Sequence, residues 1–341
     1  MRKIIVCVTI AVMILSLAAC GNGQNGQNKI TNQKPLVVLV TNTGTMGDKS
    51  FNDAGWSGCE KAKEDNDIDI RCLETENSDE LEANLQSAGN DGAKLAVVMG
   101  SGNKETIDRE AKNYPDTDFL IVDGKKSGDN VAGITFREEQ GAFLAGIAAA
   151  STTKTKTVGF IGGEKTDSVI AYECGFKAGV ETLDQDIEVL TKYAGTFSDA
   201  AKGKKIAAAM NKSGADVIMQ AAGNTGGGVI EAAGEKGFYA IGSDVDQSVM
   251  DSEHVLCSAV KGISSAVEEE IDKTCKGDFK AENIVGSVED DQVGISDNAG
   301  NLPDALMERL NKIKKQIEKK EFTVPYNTET LEKFQVPEVE K

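Results

Sequence analysis

Short apolar runs alternate with helix-type patterns along almost the whole chain, and this alternation constrains the fold more than any other feature. The runs stay apolar instead of alternating with polar residues, which is typical of strands covered on both faces of a parallel sheet. Ten runs are predicted to be strands: residues 36–41, 68–73, 95–100, 119–124, 131–136, 157–163, 188–195, 216–223, 238–244 and 254–260. Helical patterns lie between them, for example at 50–65, 138–151, 168–182, 199–213, 225–236, 262–275 and 303–319. Regular alternation of strands and helices predicts an α/β fold with right-handed crossovers.

The segment "AAASTTKTKTVGF", residues 148–160, is interpreted as a seam between two lobes, with the boundary near Lys154. A helix ends there in small residues and a polar run before a new strand begins. Each half then carries its own β–α series, which predicts two doubly wound parallel-sheet lobes joined by a hinge. The predicted N-terminal lobe comprises residues 36–153 and 259–285, and the predicted C-terminal lobe with an irregular C-terminal strap comprises residues 154–258 and 286–335. Ligands bind outside the carboxyl ends of strands in open parallel sheets, so two facing lobes would form a cleft there.

The first 35 residues are predicted to lie outside the fold. Residues 1–19 combine a positive start with an apolar stretch, as secretory signal peptides do. The following "LAAC" ends at Cys20 and resembles a bacterial lipobox, in which the peptidase cuts before a lipidated cysteine. The alternative is an ordinary signal with a cysteine nearby by chance. Residues 20–35 are rich in Gly, Asn and Gln and read as a flexible tether, which predicts a lipid-anchored protein at the extracytoplasmic face of the bacterial cell membrane.

The charge balance argues against polyanionic partners. Without residues 1–19, which contain Arg2 and Lys3 and no acidic residue, 35 basic residues face 55 acidic ones, a formal charge of −20. So negative a chain repels phosphate backbones, and no nucleic-acid partner is predicted.

Cysteine and histidine usage gives no sign of a metal site. The five cysteines beyond Cys20 show no metal-ligand spacing, and they are interpreted as small buried hydrophobic residues: Cys59, Cys72, Cys174, Cys257 and Cys275. Whether Cys59 and Cys72 form a disulfide stays open. The single histidine, His254, stands in a polar turn and is assigned to the surface. No metal or other cofactor is predicted.

The stretch "GTMGDKSFNDAGWSG", residues 44–58, follows the first predicted strand and contains the best candidate for a binding loop. Ser50 and Asp53 have the spacing of a capping box, which predicts a helix beginning there. Phe51 and Asn52 then fall in the first turn, where a phenyl face can stack on a planar ring and an amide can bind the edge of a heterocycle. The alternative makes Phe51 a hydrophobic staple and Asn52 a first-turn polar residue.

Five motifs follow in the order found in the basic membrane protein family: "GDKSFNDAGWSG", "VGFIGG", "QAAGNTGGGV", "AIGSDVDQS" and "SAVKG". The chain resembles this family of lipoprotein substrate-binding components of ABC importers, including the purine-nucleoside receptor type, over roughly residues 36–320. The resemblance implies a fold like that of type I periplasmic binding proteins, which clamp a nucleoside between two lobes. It also implies permease subunits in the membrane as partners.

The resemblance further implies ligand-binding roles on the base side. Phe51 would be one stacking wall, and Asn52 would bind the base with help from Asp48. The chain departs from the family pattern at two places. Asn42 stands where family members often have Asp, which changes an acceptor into an amide, and Met219 stands where the second stacking wall is often aromatic.

On the sugar side, the resemblance assigns Asp123 and Asp244 to the ribose hydroxyls, because carboxylates accept strong hydrogen bonds from a cis-diol. Lys261 would donate to a ribose oxygen, and the backbone at Gly223 would lie close to the sugar. The alternatives are helix-capping aspartates and a solvated lysine.

Three functions are weighed for such a chain. The first is a binding protein that captures a purine nucleoside, closes by a hinge and delivers it to a permease driven by a separate ATPase, because the sequence has no G-x-x-x-x-G-K-[ST] loop. The second is a nucleoside-hydrolysing enzyme that uses aspartates, for which no convincing acid–base pair is found. The third is a binding protein or sensor for a sugar or another small polar ligand. The first is preferred, and the chain is predicted not to be an enzyme.

Overall fold

A computed structural model describes residues 34–102 and 104–339. The predicted signal peptide, Cys20 and the tether up to residue 33 lie outside the described residues. The helices, in chain order, are α1 (Phe51–Asp65), α2 (Ser78–Asn90), α3 (Lys104–Asn113), α4 (Glu138–Thr152), α5 (Asp167–Leu183), α6 (Ala200–Lys212), α7 (Asn224–Lys236), α8 (Ile263–Lys276), α9 (Asp304–Glu318) and α10 (Thr328–Glu332). Among the described residues, no helix is both long enough and apolar enough to span a bilayer.

Twelve strands of the described chain form two six-stranded sheets. They are β1 (Leu36–Val40), β2 (Asp69–Leu73), β3 (Leu95–Met99), β4 (Asp118–Val122), β5 (Val131–Phe136), β6 (Thr157–Gly162), β7 (Glu188–Tyr193), β8 (Val217–Ala221), β9 (Tyr239–Asp244), β10 (Val255–Lys261), β11 (Asn283–Gly286) and β12 (Val293–Ser296). The first sheet has the order β11-β5-β4-β3-β1-β2, and the second has the order β12-β10-β9-β8-β6-β7. All neighbours are parallel except β12, which runs antiparallel to β10.

The predicted α/β fold class and all ten predicted strands are confirmed. The two strands that the sequence patterns did not predict, β11 and β12, have four residues each, and each stands at an edge of its sheet. A short edge strand has one pairing partner, so it lacks the continuous apolar run that marks a central strand.

Each sheet is covered on both faces, as the apolar runs predicted. In the first sheet, Val37 and Leu39 belong to one core cluster, whereas Val38 and Val40 belong to the cluster on the opposite face. Burying a Val, Leu or Phe side chain contributes about 1.5–3 kcal/mol, so these two-sided cores dominate the stability of each sheet. The carboxyl ends of the strands are thereby left as the edge open to a ligand.

The helix α4 packs with the second sheet, which moves the first lobe boundary. Gly175 and Gly179 of α5 let the two helices touch backbone to backbone: an added Cβ would lie 2.2 Å from the Glu139 carbonyl oxygen and 2.1 Å from that of Phe143. α4 also contacts β10, β12 and α9. The chain therefore leaves the first sheet at Arg137, before α4, and not near Lys154, where the polar run after α4 had suggested a seam.

The chain crosses between the sheets twice more. It returns after Lys261, because α8 packs against α1, and it leaves again after Gly286, because β12 joins the second sheet. The predicted segment 259–285 thus differs from the observed one at its start, since residues 259–261 complete β10. We call the first sheet with α1, α2, α3 and α8 the first lobe, and the second sheet with α4–α7, α9 and α10 the second lobe.

Candidate functional site

A cavity of about 250 Å³ lies between the carboxyl ends of the strands of the two sheets. Seven of the nine predicted ligand-binding residues line it: Asn42, Asp48, Phe51, Asp123, Gly223, Asp244 and Lys261. They come from loops or strand ends that are far apart in the sequence: the first, Asn42, and the last, Lys261, are separated by 219 positions. These residues lie at the carboxyl ends of the strands, the edge at which ligands bind in open parallel sheets.

Lys261, the last residue of β10, is the buried cation of the cavity. Its ammonium lies 2.6 Å from Asp123 Oδ2, 3.4 Å from Glu138 Oε1 and 3.5 Å from Asp244 Oδ1. Its side chain is only 1% exposed. Burial alone would lower the pKa of Lys261, but the three carboxylates together hold this pKa well above its usual value. Lys261 therefore stays charged and organises the acids around it.

Glu138, at the start of α4, is the deepest of these three carboxyl groups. Its Oε1 accepts a hydrogen bond from Ser168 Oγ at 2.8 Å. Burial raises the pKa of Glu138 to about 8, with Lys261 opposing the rise and Asp123 adding to it. Glu138 itself does not line the cavity. It contacts Lys261 and Ser168, which do, and so influences the cavity through them.

Asp123 and Asp244 both have strained backbones. Asp123 follows β4 directly with φ 58°, and Asp244 ends β9 with φ 67°. Left-handed conformations cost about 1–3 kcal/mol at most non-glycine residues, although Asp tolerates them better than most, and they concentrate at functional sites. Asp123 belongs to the first lobe and Asp244 to the second. At the end of each strand, the left-handed backbone directs the carboxylate toward the shared cavity.

The carboxylate of Asp123 has one acceptor atom without a partner. Its Oδ2 accepts from Lys261, but its Oδ1 is buried and makes no hydrogen bond to any described residue. Leaving a buried acceptor unsatisfied costs about 1–3 kcal/mol, more when it is charged. The cavity thus offers a strong acceptor to a hydroxyl or amine of a ligand.

The first loop is held by Asp48 and Asn52. Asp48 accepts from the backbone N–H groups of Ser50 (2.9 Å), Asn52 (2.9 Å) and Asp53 (3.2 Å). Burial raises the pKa of Asp48 to about 6, and these hydrogen bonds oppose the rise. Asp48 therefore caps α1, although one side of it faces the cavity.

Asn52 does not line the cavity, contrary to the prediction that it binds the base. Its amide nitrogen donates to Asn42 Oδ1 (2.8 Å), to the Thr45 carbonyl (3.0 Å) and to Asp48 Oδ2 (3.1 Å). Its amide oxygen accepts from the Asn42 N–H at 3.2 Å. Because all of its hydrogen-bonding groups are used and the side chain is fully buried, Asn52 positions Asn42 and Asp48 instead of a ligand.

The predicted capping box is also wrong, although α1 does begin at Phe51. Ser50 makes no side-chain cap, and its Oγ donates across the cavity to Asp244 Oδ2 at 2.6 Å. The carboxylate of Asp53 turns back to accept from the backbone N–H groups of Gly47 (2.8 Å) and Lys49 (2.9 Å). Asp48 has taken over the capping role, which frees Ser50 to contact the other lobe.

Three aromatic residues line the cavity, and two of them, Phe51 and Phe197, come from opposite lobes; the third is Tyr172. Phe51 stands 5.0 Å from the Lys261 ammonium, measured to the ring centroid. Phe197, in the loop after β7, is the second ring. It packs beside Gly223, whose φ of 55° suits glycine and where an added Cβ would lie 3.4 Å from the Phe197 carbonyl oxygen. Gly223 therefore lets the backbone come close to this wall.

Met219, predicted as the second wall, does not reach the cavity. It lies in the middle of β8 with no exposed surface, in the same core cluster as Val217 and Phe160. Ala221, two residues later on the same face of the strand, is the β8 residue that lines the cavity. The sequence signal for Phe197 was present in "AGTFSDA", a loop after a predicted strand with a single aromatic residue.

Direct contacts join the lobes across the cavity, so the structure shows a closed arrangement. Besides the Ser50–Asp244 and Lys261–Asp123 pairs, the fully buried Gln247 donates from Nε2 to the Lys49 carbonyl at 3.0 Å. Tyr172 on α5, another residue that sequence patterns did not single out, donates to Asp244 Oδ1 at 3.4 Å. No spacing rule links such distant positions.

The cysteines and the histidine take no part in this site. The five cysteines are free; Cys59, Cys174 and Cys257 are buried as predicted, whereas Cys72 and Cys275 are only half-buried. His254 lies in a turn beside Asp251, 3.0 Å from its Oδ2, and is partly exposed. Within residues 34–102 and 104–339, no group of His, Cys, Asp and Glu is arranged to hold a metal ion.

The sequence is similar to those of known substrate-binding proteins. A family model described as "ABC transporter substrate-binding protein PnrA-like" matches residues 36–328. The ABC transporter nucleoside-binding protein BmpA of Lactococcus lactis is 35% identical over 314 residues, which cover 84% of this chain and 88% of that protein. Basic membrane protein A of Borreliella afzelii is 31% identical over 318 residues, which cover 91% of this chain and 97% of that protein.

Solved structures share the fold. An ABC transporter solute-binding protein from Aeropyrum pernix superposes with a TM-score of 0.78 at 24% identity, covering 88% of this chain and 96% of the other. A second, from Conexibacter woesei, gives a TM-score of 0.68 at 22% identity, covering 86% and 99%. The chain therefore shares the fold of these structures.

Proposed function

Because the chain belongs to the family of PnrA-like ABC transporter substrate-binding proteins, we propose that it captures a purine nucleoside in the cavity between its lobes. Like its relatives, it is a binding protein and not an enzyme. One observation carries the choice of ligand: the rings of Phe51 and Phe197 and the carboxylates of Asp123 and Asp244, each pair contributed by opposite lobes, line one cavity. Such a cavity suits a molecule with a planar ring at one end and hydroxyls at the other.

The sugar would occupy the acidic end. Asp123 Oδ1 is the unsatisfied acceptor there, and Asp244 faces it from the second lobe. A hydrogen bond to a charged group contributes about 1.5–3 kcal/mol, so two ribose hydroxyls would bring a large part of the affinity. Lys261 lies 2.6 Å from Asp123 and 3.5 Å from Asp244, so it holds both carboxylates in place and donates where a ribose oxygen comes near.

The base would lie between Phe51 and Phe197. Stacking on an aromatic side chain contributes about 1–3 kcal/mol per base and requires no particular hydrogen-bonding edge. Asn42 supplies the edge contact: its Oδ1 already accepts from Gly44 N and Asn52 Nδ2, whereas its Nδ2 donates to no described residue. An amide donor favours a base edge that carries an acceptor, which an aspartate at this position would not.

Closure of the lobes on the ligand would then present it to permease subunits in the membrane. Closed lobes expose one composite surface, and an open–closed change around a ligand is the usual motion of two-lobed binding proteins. The chain lacks a phosphate-binding loop of the G-x-x-x-x-G-K-[ST] type, so a separate ATPase would drive transport.

A ligand panel tests the function. The mature domain, residues 34–341, is heated with guanosine, inosine, adenosine, free ribose, glucose or inositol. A nucleoside at 100 times its Kd is expected to stabilise the fold by about 2.7 kcal/mol, which raises Tm by several degrees. Parallel chromatography of the nucleoside samples measures released base, and none is expected. Stabilisation by a sugar alone would refute the nucleoside proposal, and released hypoxanthine would point to a hydrolase.

The lipid anchor is part of the same proposal, and it concerns residues outside the described part of the chain. With residues 1–19 removed as a signal peptide and Cys20 diacylated, the protein would be held at the extracytoplasmic face of the membrane. Full-length protein expressed in bacteria is expected to partition into the detergent phase of Triton X-114, and the Cys20→Ser variant into the aqueous phase. Equal partitioning of the two proteins would exclude lipidation at Cys20.

A further inference from the structure

One buried cation serves three carboxyl groups in the closed site. Asp123, Glu138 and Asp244 all stand within 3.5 Å of the Lys261 ammonium. With all three ionised, the cluster would carry two uncompensated negative charges in a buried place. Isolated buried charges are too costly to persist, so such a group takes up a proton instead.

The three acids are not equivalent within the cluster. Asp244 accepts from Ser50 Oγ (2.6 Å), and Asp123 makes the shortest contact with Lys261 (2.6 Å). Glu138 is 3.4 Å from Lys261 and accepts one hydrogen bond from Ser168. Glu138 is the most deeply buried of the three, with a side chain 5% exposed against 11% for Asp123 and 10% for Asp244, so a negative charge is most costly there and Glu138 is the acid that a proton would neutralise at least cost.

The surroundings of Glu138 come from both lobes. Lys261 on β10, Asp244 on β9, and Ser168 and Tyr172 on α5 all belong to the second lobe, as Glu138 itself does. Asp123, after β4, is the one charged group of this cluster that the first lobe supplies. Opening the cleft would therefore remove one negative charge from the cluster and admit water to it.

We propose that Glu138 takes up a proton when the cleft closes, so that ligand binding by this protein is linked to protonation of a side chain that does not touch the ligand. The proposal rests on the proposed function, because it assumes that the cavity closes on a nucleoside. In this role Glu138 is a positioning residue: as a neutral acid it leaves the charge of Lys261 to Asp123 and Asp244. Those two carboxylates then share the ammonium between them and accept hydrogen bonds from the hydroxyls of the ligand.

The direction of the pH dependence follows from the linkage. Burial raises the pKa of Glu138 to about 8 in the closed form, and the approach of Asp123 contributes to the rise, so this pKa is lower in the open form. The closed form is fully favoured below the open-form pKa, and this advantage is lost as pH rises toward about 8. Affinity is thus expected to fall with rising pH, by at most about tenfold per pH unit, and to level off above the closed-form pKa.

Calorimetric titration of the wild-type protein tests this, with the nucleoside that gives the largest stabilisation in the panel. Between pH 7 and pH 9 the Kd is expected to rise at least about threefold and then become constant. At pH 7 the binding enthalpy measured in two buffers with different ionisation enthalpies should report net proton uptake. This measurement uses only the wild-type protein, so its result does not depend on whether a variant folds.

The Glu138→Gln variant mimics the protonated acid. It is expected to bind with the low-pH affinity of the wild-type protein at every pH between 7 and 9, and to take up no proton. Glu139→Gln is the matched control: Glu139 is also buried, with its pKa raised to about 7 by burial, but it neither lines the cavity nor contacts Lys261. The pH profile of the control should equal that of the wild-type protein.

Two results would overturn the proposal while leaving nucleoside binding intact. One is a wild-type Kd that is constant from pH 7 to pH 9 with no proton uptake. The other is a Glu138→Gln variant that binds more than tenfold weaker than the wild-type protein at pH 7, which would mean that Lys261 needs a charged Glu138. Failure of the proposed function gives a different signature, because the nucleosides would then give no binding heat at any pH.

Discussion

Replacing Lys261 with methionine is expected to destabilise the fold by about 3–5 kcal/mol and to abolish ligand binding, because breaking a buried ion pair leaves its partners buried and unpaired. The partners here are Asp123, Glu138 and Asp244, all within 3.5 Å of the ammonium. Methionine has a similar length, so loss of volume contributes little. Urea unfolding followed by circular dichroism measures the stability, and calorimetric titration measures the binding.

The matched control for this variant is Lys204→Met. Lys204 also contacts two carboxylates, those of Glu231 and Glu235, both at 2.7 Å, but its side chain is 32% exposed. Water screens an exposed pair, so its removal should hardly change the unfolding midpoint. A Lys261→Met variant as stable as this control would contradict the view that Lys261 is the charge on which the closed site depends.

Replacing Asp244 with alanine is expected to weaken nucleoside binding more than any other single change at the cavity that leaves Lys261 in place. Each ligand donor that loses a charged acceptor costs about 1.5–3 kcal/mol. A loss of that size raises Kd at least about tenfold for one donor and beyond a hundredfold for two. Calorimetric titration at pH 7 gives the value directly.

Part of this loss would come from the lobes themselves, because Asp244 also accepts from Ser50 Oγ at 2.6 Å. The Ser50→Ala variant removes that lobe–lobe hydrogen bond and leaves the carboxylate in place. It should weaken binding less than Asp244→Ala does, since it removes one hydrogen bond to the carboxylate whereas Asp244→Ala also removes those of the ligand. If the two variants bound equally well, Asp244 would act in closure alone, and the ribose contact would have to be assigned elsewhere.

Much of the site was predictable because it depends on local patterns and on one general rule. Apolar runs identified the strands, and the carboxyl-edge rule then selected the loops that carry Asp123, Asp244 and Gly223. Phe51 was predictable for the same reason, since the start of α1 follows β1 after one loop.

The errors have a common cause, which is competition among side chains for the same partners. Asn52 has the right chemistry for a base, but Asn42, Thr45 and Asp48 already use its amide. Ser50 and Asp53 have capping-box spacing, but Asp48 takes the N–H groups at the start of α1. Spacing shows which contacts are sterically allowed, and only the folded chain shows which of them form.

The sequence by itself determined the two α/β sheets, the edge at which the cavity lies and most of the chemical groups at that edge, because these follow from periodicity and from residue type. The tertiary structure alone decided that α4 packs with the second lobe, that Phe197 and not Met219 forms the second wall, and that Glu138 lies beneath Lys261. Lys261 and Glu138 are 123 positions apart, and Ser50 and Asp244 are 194 apart. Contacts over such separations depend on how whole layers pack, and no local pattern encodes that packing.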